Sequence, residues 1–315
     1  MKKTFQKTLI AAAAGVALMS TVGTASANSL LFPYFTTNSG AQSVLSISAN
    51  STASSSTAGE VLHYVYNYGP SCIHFDGNGR VTGNDLLQHS IAATTAGGFG
   101  KAVSTDASTP FYFPSANSFG FLTVTNKSTA GAVISGEMAI VDPSTGLVAA
   151  YAGISNSAET VGTLSEGDFS GITDQQFDLR FFGSSVTSTS WYGVVTGNMY
   201  AAITAGANWT GAQTLSNNGV IYNNDESPLS GTSTKTLNCA GTFTANDLMN
   251  TAQQAAVGGN GGLIHASASS VAPDAKTVFF ASKGLVLMKL QAVQAAVGAP
   301  FAGKQFLHRE AVTPF

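Results

Sequence analysis

Between residues 61 and 68 the chain alternates. Leu62, Tyr64, Tyr66 and Tyr68 fall on one side of an extended backbone, and His63, Val65 and Asn67 on the other. Only a strand brings residues two apart onto one face, so this stripe of rings commits the segment to a half-buried sheet. The same period recurs at residues 43–49, 119–125, 176–182, 191–196 and 277–281. Residues 132–141 and 147–153 flank Asp142-Pro143-Ser144-Thr145-Gly146, where Pro presets a turn and Gly accepts positive φ, so a hairpin is expected there. Helical signal is sparse. Asn246 can cap a helix running to about Val257, with Asp247 near its positive end and Gly258-Gly259 as the stop. A shorter helix is expected over residues 291–297, before Gly298 and Pro300. The fold class that follows is mainly β: an antiparallel sandwich, jelly-roll or Ig-like, with one or two short helices.

The first 27 residues read as a secretory signal. Lys2, Lys3 and Lys7 supply the positive end, residues 9–19 the apolar centre, and Ala25-Ser26-Ala27 the small-residue cleavage site. The apolar run is shorter than the roughly 20 residues a membrane span needs. Residue 28 is Asn rather than Cys, so a bacterial lipid anchor is not indicated. Loss of the signal leaves 10 basic against 16 acidic side chains, a net −6, which argues against a nucleic-acid partner. Export also places Cys72 and Cys239, the two cysteines, in an oxidising compartment. Two cysteines admit one intramolecular pairing, so a Cys72–Cys239 disulfide is expected; free thiols or an intermolecular bridge are the alternatives.

The 315 residues allow one or two domains. Residues 215–236 are polar and form the best candidate boundary, but a Cys72–Cys239 bridge would tie both sides together, so one domain over residues 28–315 is preferred, with a helical insertion near 246–257. Each cysteine is followed by a Thr-x-Asn-Asp-Leu motif, Thr82 to Leu86 and Thr244 to Leu248, which marks either two related halves or the chance recurrence of a good helix start.

The start of the mature chain reads Ser29-Leu30-Leu31-Phe32-Pro33-Tyr34-Phe35. It is followed by Val44-Leu45-Ser46-Ile47-Ser48, Leu62-His63-Tyr64-Val65-Tyr66 and Cys72-Ile73-His74-Phe75-Asp76, and the chain nears its end with Gln305-Phe306-Leu307-His308-Arg309-Glu310. In these segments it resembles a group of uncharacterised secreted proteobacterial proteins with an LLFPYF-type mature start. The resemblance covers the first third and the extreme C-terminus. It implies an exported β-rich protein and carries no catalytic residues across.

Several constellations bear on chemistry. With Asp85 at the twelfth position, Asp76 and Asn78 fall where a calcium loop places oxygen ligands and Gly79 where it turns, although His74 stands at the first position. The alternative is a plain turn over Asp76-Gly77-Asn78-Gly79. His63, His74, Asp76 and His89 could converge on a metal, but their spacing fits no compact motif. No G-x-S-x-G elbow or P-loop occurs, and Gly258 to Gly262 reads as a flexible loop. Tyr64, Tyr66, Trp191 and Tyr192 are the candidate ligand-binding rings if exposed and sandwich core if buried. Leu30, Leu31, Phe32, Tyr34 and Phe35 form either an assembly strand added to a neighbouring subunit or a strand packed at home.

These readings favour an exported, non-enzymatic surface or matrix protein, structural, adhesive or filament-forming, with no cofactor. Its partners would be further copies of itself or cell-surface components. Only 9% of residues are charged, which weakens self-repulsion. The alternative is a soluble protein binding a glycan or hydrophobic ligand. An outer-membrane β-barrel is third: Phe315 ends the chain as barrel termini often do, but Pro314 beside it cannot join a ladder.

Overall fold

The computed structural model describes residues 26–38, 40–50, 60–69, 72–82, 86–93, 100–104, 111–113, 119–127, 133–155, 167–183, 187–199, 208–271, 282–293 and 305–310. They fall into two compact units, where the sequence reading preferred one domain. Unit 1 holds the described residues up to Tyr68 and those from Phe75 to Ser155; unit 2 holds Gly69–His74 and the described residues from Gly167 onward. The expected signal segment lies outside the described residues except for Ser26–Ala27, and so does the strand expected at 277–281.

Unit 1 contains β1 (Ser26–Ala27), β2 (Ser29–Thr36), β3 (Gln42–Asn50), β4 (Glu60–Tyr68), β5 (Ile73–Val81), β6 (Leu86–Ala93), β7 (Gly100–Ser104), β8 (Phe111–Phe113), β9 (Phe119–Asn126), β10 (Val133–Asp142), β11 (Leu147–Ala152) and β12 (Ile154–Ser155). One sheet runs β12-β2-β9-β4-β5, and the other holds the order β11-β10-β3-β6-β7-β8, with β1 against β10. Their facing sides carry Leu30, Phe32, Tyr64, Tyr66, Leu45, Ile47, Leu87 and Met138, all fully buried. The Tyr64 ring meets His89 across the core at 4.5 Å between centroids. A large side chain buried this way contributes about 1.5–3 kcal/mol.

Pro33 has no N–H for a ladder, and the β2–β9 register shifts between Phe32 and Phe35 around it. The bulge frees the backbone of Tyr34. Its N–H donates to the Tyr151 hydroxyl at 3.1 Å, and that hydroxyl donates in turn to the Tyr34 carbonyl. Opposite Phe35 stands Gly120, where a Cβ would collide with the Asn67 carbonyl, so only glycine lets the strands close. The expected hairpin is present as β10 and β11. Asp142 Oδ1 accepts from the Ser144 N–H at 3.0 Å and from the Ser144 hydroxyl at 2.6 Å, and Gly146 takes a φ of 68°. Burial pushes the Asp142 carboxyl up, but bonds from Ser144, Asn38 and Thr145 outweigh it and hold its pKa below the ordinary value.

Unit 2 contains β13 (Gln176–Phe182), β14 (Thr187–Gly197), β15 (Ala212–Ser216), β16 (Val220–Asn223), β17 (Pro228–Ser230), β18 (Thr234–Asn238), β19 (Ala240–Thr244), α1 (Thr251–Val257), β20 (Gly261–Ser270), β21 (Ser282–Val293) and β22 (Gln305–Arg309). One sheet has β13 and β15 on β20, with β18 beyond β15 and the hairpin β16–β17 beside β20; the other holds the order β19-β14-β21-β22. Trp191 stacks on Phe243 at 5.4 Å inside it. The expected helix is divided. A 3-10 turn at Ala245–Leu248 is boxed by Thr244 and Asp247, and α1 is capped by Asn250, whose side chain accepts from the Gln253 N–H. The helix expected from residue 291 is corrected: Gln291–Val293 finish β21, paired with Thr187–Thr189 of β14. Gly258 to Gly262 form a tight joint rather than a free loop, with Gly258 and Gly261 at φ of 55° and 85° as α1 ends and β20 begins.

The two units share one strand plan. Taking β2, β3, β4, β5, β6, β9, β10 and β11 as strands one to eight, unit 1 pairs them 1-6-3-4 and 5-2-7-8. In unit 2, β13, β14, β15, β18, β19, β20, β21 and β22 pair 1-6-3-4 and 5-2-7-8 as well. The 2–5 and 3–6 neighbours are those of an Ig-like sandwich, while strands one, four and seven lie in the opposite sheets. The Thr-x-Asn-Asp-Leu motifs do not mark this repeat: one lies between strands four and five, the other between strands five and six.

Candidate functional site

The register of unit 2 gathers chemistry at one end of β20. On one side of it, β13 sets Asp178 opposite His265, Arg180 opposite Leu263 and Phe182 opposite Gly261. On the other, β16 sets Tyr222 opposite Leu263 and Asn223 opposite Gly262. Directly paired residues share a face, so Arg180, Leu263 and Tyr222 form a row across three strands. Gly262 is required by the close approach of β16, since a Cβ there would strike the Tyr222 carbonyl.

Above this row lies an open groove of about 660 Å³. One wall is Arg180, Phe181 and Phe182; the other is Tyr222 with the turn that follows β16. That turn is held by Asn223, whose Oδ1 accepts from the N–H of Asp225 at 3.1 Å and of Ser227 at 2.9 Å. It carries Glu226 at a φ of 60° on the groove's rim. Phe182 is 60% exposed, the most uncovered large apolar side chain described.

At the groove's inner end the Asp178 carboxylate takes the Nδ1 of His265 at 2.6 Å and lies 3.7 Å from Arg180 Nη2. The Tyr222 ring sits edge-on to the His265 ring at 5.7 Å. An imidazole oriented by a carboxylate can serve as a base; among the described residues lining the groove there is no serine, threonine or cysteine. The arrangement is suited to holding a ligand: two aromatic surfaces, an imidazole bonded to a carboxylate and three side-chain amides, from Asn223, Asn224 and Asn260.

The residues singled out from sequence stand elsewhere. Tyr64, Tyr66 and Trp191 are fully buried and Tyr192 is 4% exposed, so these rings are core and not a ligand platform. Burial raises the pKa of Tyr64 and of Tyr66 well above the ordinary phenol value. Leu30, Leu31, Phe32, Tyr34 and Phe35 are buried within unit 1, on a strand flanked by β9 and, at Leu30 and Leu31, by β12. The strand is therefore packed at home. Asp76 and Asn78 lie two apart along the extended strand β5, which corrects both the calcium loop and the plain turn: a strand cannot wrap oxygens around an ion. Asp85 is outside the described residues. His63 bonds Asp76 at 3.3 Å, His74 bonds Asn208 at 3.1 Å, and His89 is enclosed in the core, so the four metal candidates do not converge. Among the described residues no group of three His, Cys, Asp or Glu could hold a metal ion. Cys72 and Cys239 form the expected disulfide, with Cα atoms 6.3 Å apart.

Sequence reasoning missed Phe182, Tyr222, Asp178 and His265. The local signal was an aromatic pair ending a strand, Phe181-Phe182-Gly183, and an aromatic entering a polar turn, Tyr222 to Glu226. Nothing in the spacing joins residues 178 and 265; only the sheet register does. Comparison with protein-family models, with curated proteins and with solved structures found no match.

Proposed function

We propose that this chain is an exported, non-enzymatic surface or matrix protein with an adhesive role, and that its second unit offers the β13–β20–β16 groove to an extracellular ligand. The observation that carries this reading is the pair of rings, Phe182 and Tyr222, held on rigid strands beside the paired Asp178 and His265. Phe182 is 60% exposed and shares the lining of one groove with Tyr222 and several polar side chains, the mixed concave setting in which ligand sites occur. The Cys72–Cys239 disulfide supports export, since such bonds persist in oxidising compartments. Among the described residues no helix is long and apolar enough to cross a membrane. The mature N-terminal strand is occupied within its own unit, which favours ligand binding over assembly by strand donation.

The test of location is protease treatment and immunogold labelling of intact cells. Digestion and labelling without permeabilisation are expected. Protection until the outer barrier is opened would overturn a surface role.

A further inference from the structure

We propose that the groove takes a neutral carbohydrate chain, with sugar rings laid against Phe182 and Tyr222. This rests on the binding role just proposed and names its ligand class.

Charge decides against the ionic alternatives. The groove is lined by Arg180, His265 and Glu226, and Asp178 lies against the first two. Arg180 lies 3.7 Å from Asp178 and His265 is bonded to the same carboxylate at 2.6 Å, so with Glu226 on the lining the basic side chains do not outnumber the carboxylates, and a phosphate, a uronate or a nucleic acid finds no basic surplus. A polyanion would also meet Glu226 at the rim. One exposed carboxylate is too little to select a cationic ligand.

Shape and polarity decide against a lipid. An acyl chain needs an enclosed apolar cavity, whereas this groove is open and one wall is a turn bearing Asn223, Asn224 and Glu226. A sugar has both characters at once. Its axial C–H faces pack on aromatic rings, and its equatorial hydroxyls pair with planar amide and carboxylate groups. Both kinds of surface are present here: the register sets Phe182 first, then the row of Arg180, Leu263 and Tyr222, then the Asp178–His265 pair, and the amides of Asn223, Asn224 and Asn260 complete the lining. The Asn223 oxygen is committed to the turn by two backbone bonds, which fixes its NH2 as a donor of defined direction. A groove of about 660 Å³ is in the range that holds a drug-sized ligand, the size of a short oligosaccharide.

The experiment is a glycan array followed by isothermal titration of the full mature protein. The titration uses a neutral oligosaccharide from the array, an oligogalacturonate as the anionic probe and a fluorescent fatty acid as the apolar one. A neutral glycan is expected to bind with little sensitivity to added salt. Phe182→Ala and Tyr222→Ala should each weaken it about tenfold or more with unchanged circular dichroism and melting, while Tyr222→Phe retains most of the affinity. Neutral binding indifferent to both alanine variants would overturn the assignment to this groove. Binding of the anionic probe alone, lost in Tyr222→Ala, would overturn the neutral class, binding of the apolar probe alone would overturn the carbohydrate class, and either would leave the binding role standing. No binding in any class would remove both.

Discussion

His89 sits in the core of unit 1, fully buried, with its ring against Tyr64. Burial lowers its pKa from the ordinary 6.5 to about 4. The unfolded chain therefore takes up a proton at a pH where the folded one still refuses it. The resulting stability is complete above about pH 6.5, falls as pH drops toward 4, and loses nothing more below. The loss is on the order of 3 kcal/mol. Urea unfolding at pH values spanning that window should show it, and His89→Phe should flatten the slope; an unchanged slope would assign it to other groups. At this scale the sequence was legible where a local rule had no competitor. The Asp142 to Gly146 turn formed as its residues dictate. Asp76-Gly77-Asn78-Gly79 carries equally strong turn chemistry, yet β5 ends its sheet, and at such an edge pairing with β4 overrides local preference while glycine and small polar side chains are tolerated.

The last described strand, β22, is anchored by charge as well as by its ladder. Just past its end, Glu310 accepts from the Trp191 indole at 2.8 Å and faces Lys289 at 3.9 Å, and both charged side chains are at least 90% buried. Burial holds the Lys289 ammonium below its ordinary pKa, and the Glu310 carboxylate pulls it back up. Glu310→Gln keeps an acceptor for Trp191 but strands the ammonium, so a loss of about 3 kcal/mol is expected in guanidinium unfolding. The double variant Lys289→Met/Glu310→Gln should recover most of it; no recovery would show that the carboxylate matters for its shape rather than its charge. Neither partner announces itself in sequence, because an isolated Lys in an apolar strand and a Glu near a terminus read as ordinary surface residues. The strands themselves were legible wherever alternation was strong, as at Gln176–Phe182. Alternation fails over residues 284–293, where β21 is apolar on both sides, and a run of Ala, Val and Gln then looks equally helical.

For the whole molecule, the Cys72–Cys239 bridge joins residues 167 apart in sequence. In the chain-entropy model a loop of that size is worth about 5 kcal/mol. The double variant Cys72→Ala/Cys239→Ala should shift the guanidinium midpoint accordingly, and an unchanged midpoint would show that the unfolded chain gains little freedom when the bond is lost. The pairing was legible because two cysteines leave one choice. The two units were not. The polar stretch 215–236, which reads as a boundary, holds β16, β17 and the start of β18 inside unit 2. What the units share is the order in which strands pair, and pairing order is fixed by which apolar faces meet and not by any repeated string of residues.

A strand plan used twice has a use beyond packing. In unit 2 the hairpin β16–β17 is inserted between the third and fourth strands and lies beside the sixth, and this addition forms one wall of the groove. Unit 1 connects its third and fourth strands without such a hairpin and extends its fifth strand instead, through β7 and β8. The two units thus carry their additions at different places on the shared scaffold. The hairpin is an insert that the eight-strand framework does not need, and unit 1 serves within the same molecule as a reference for that one connection.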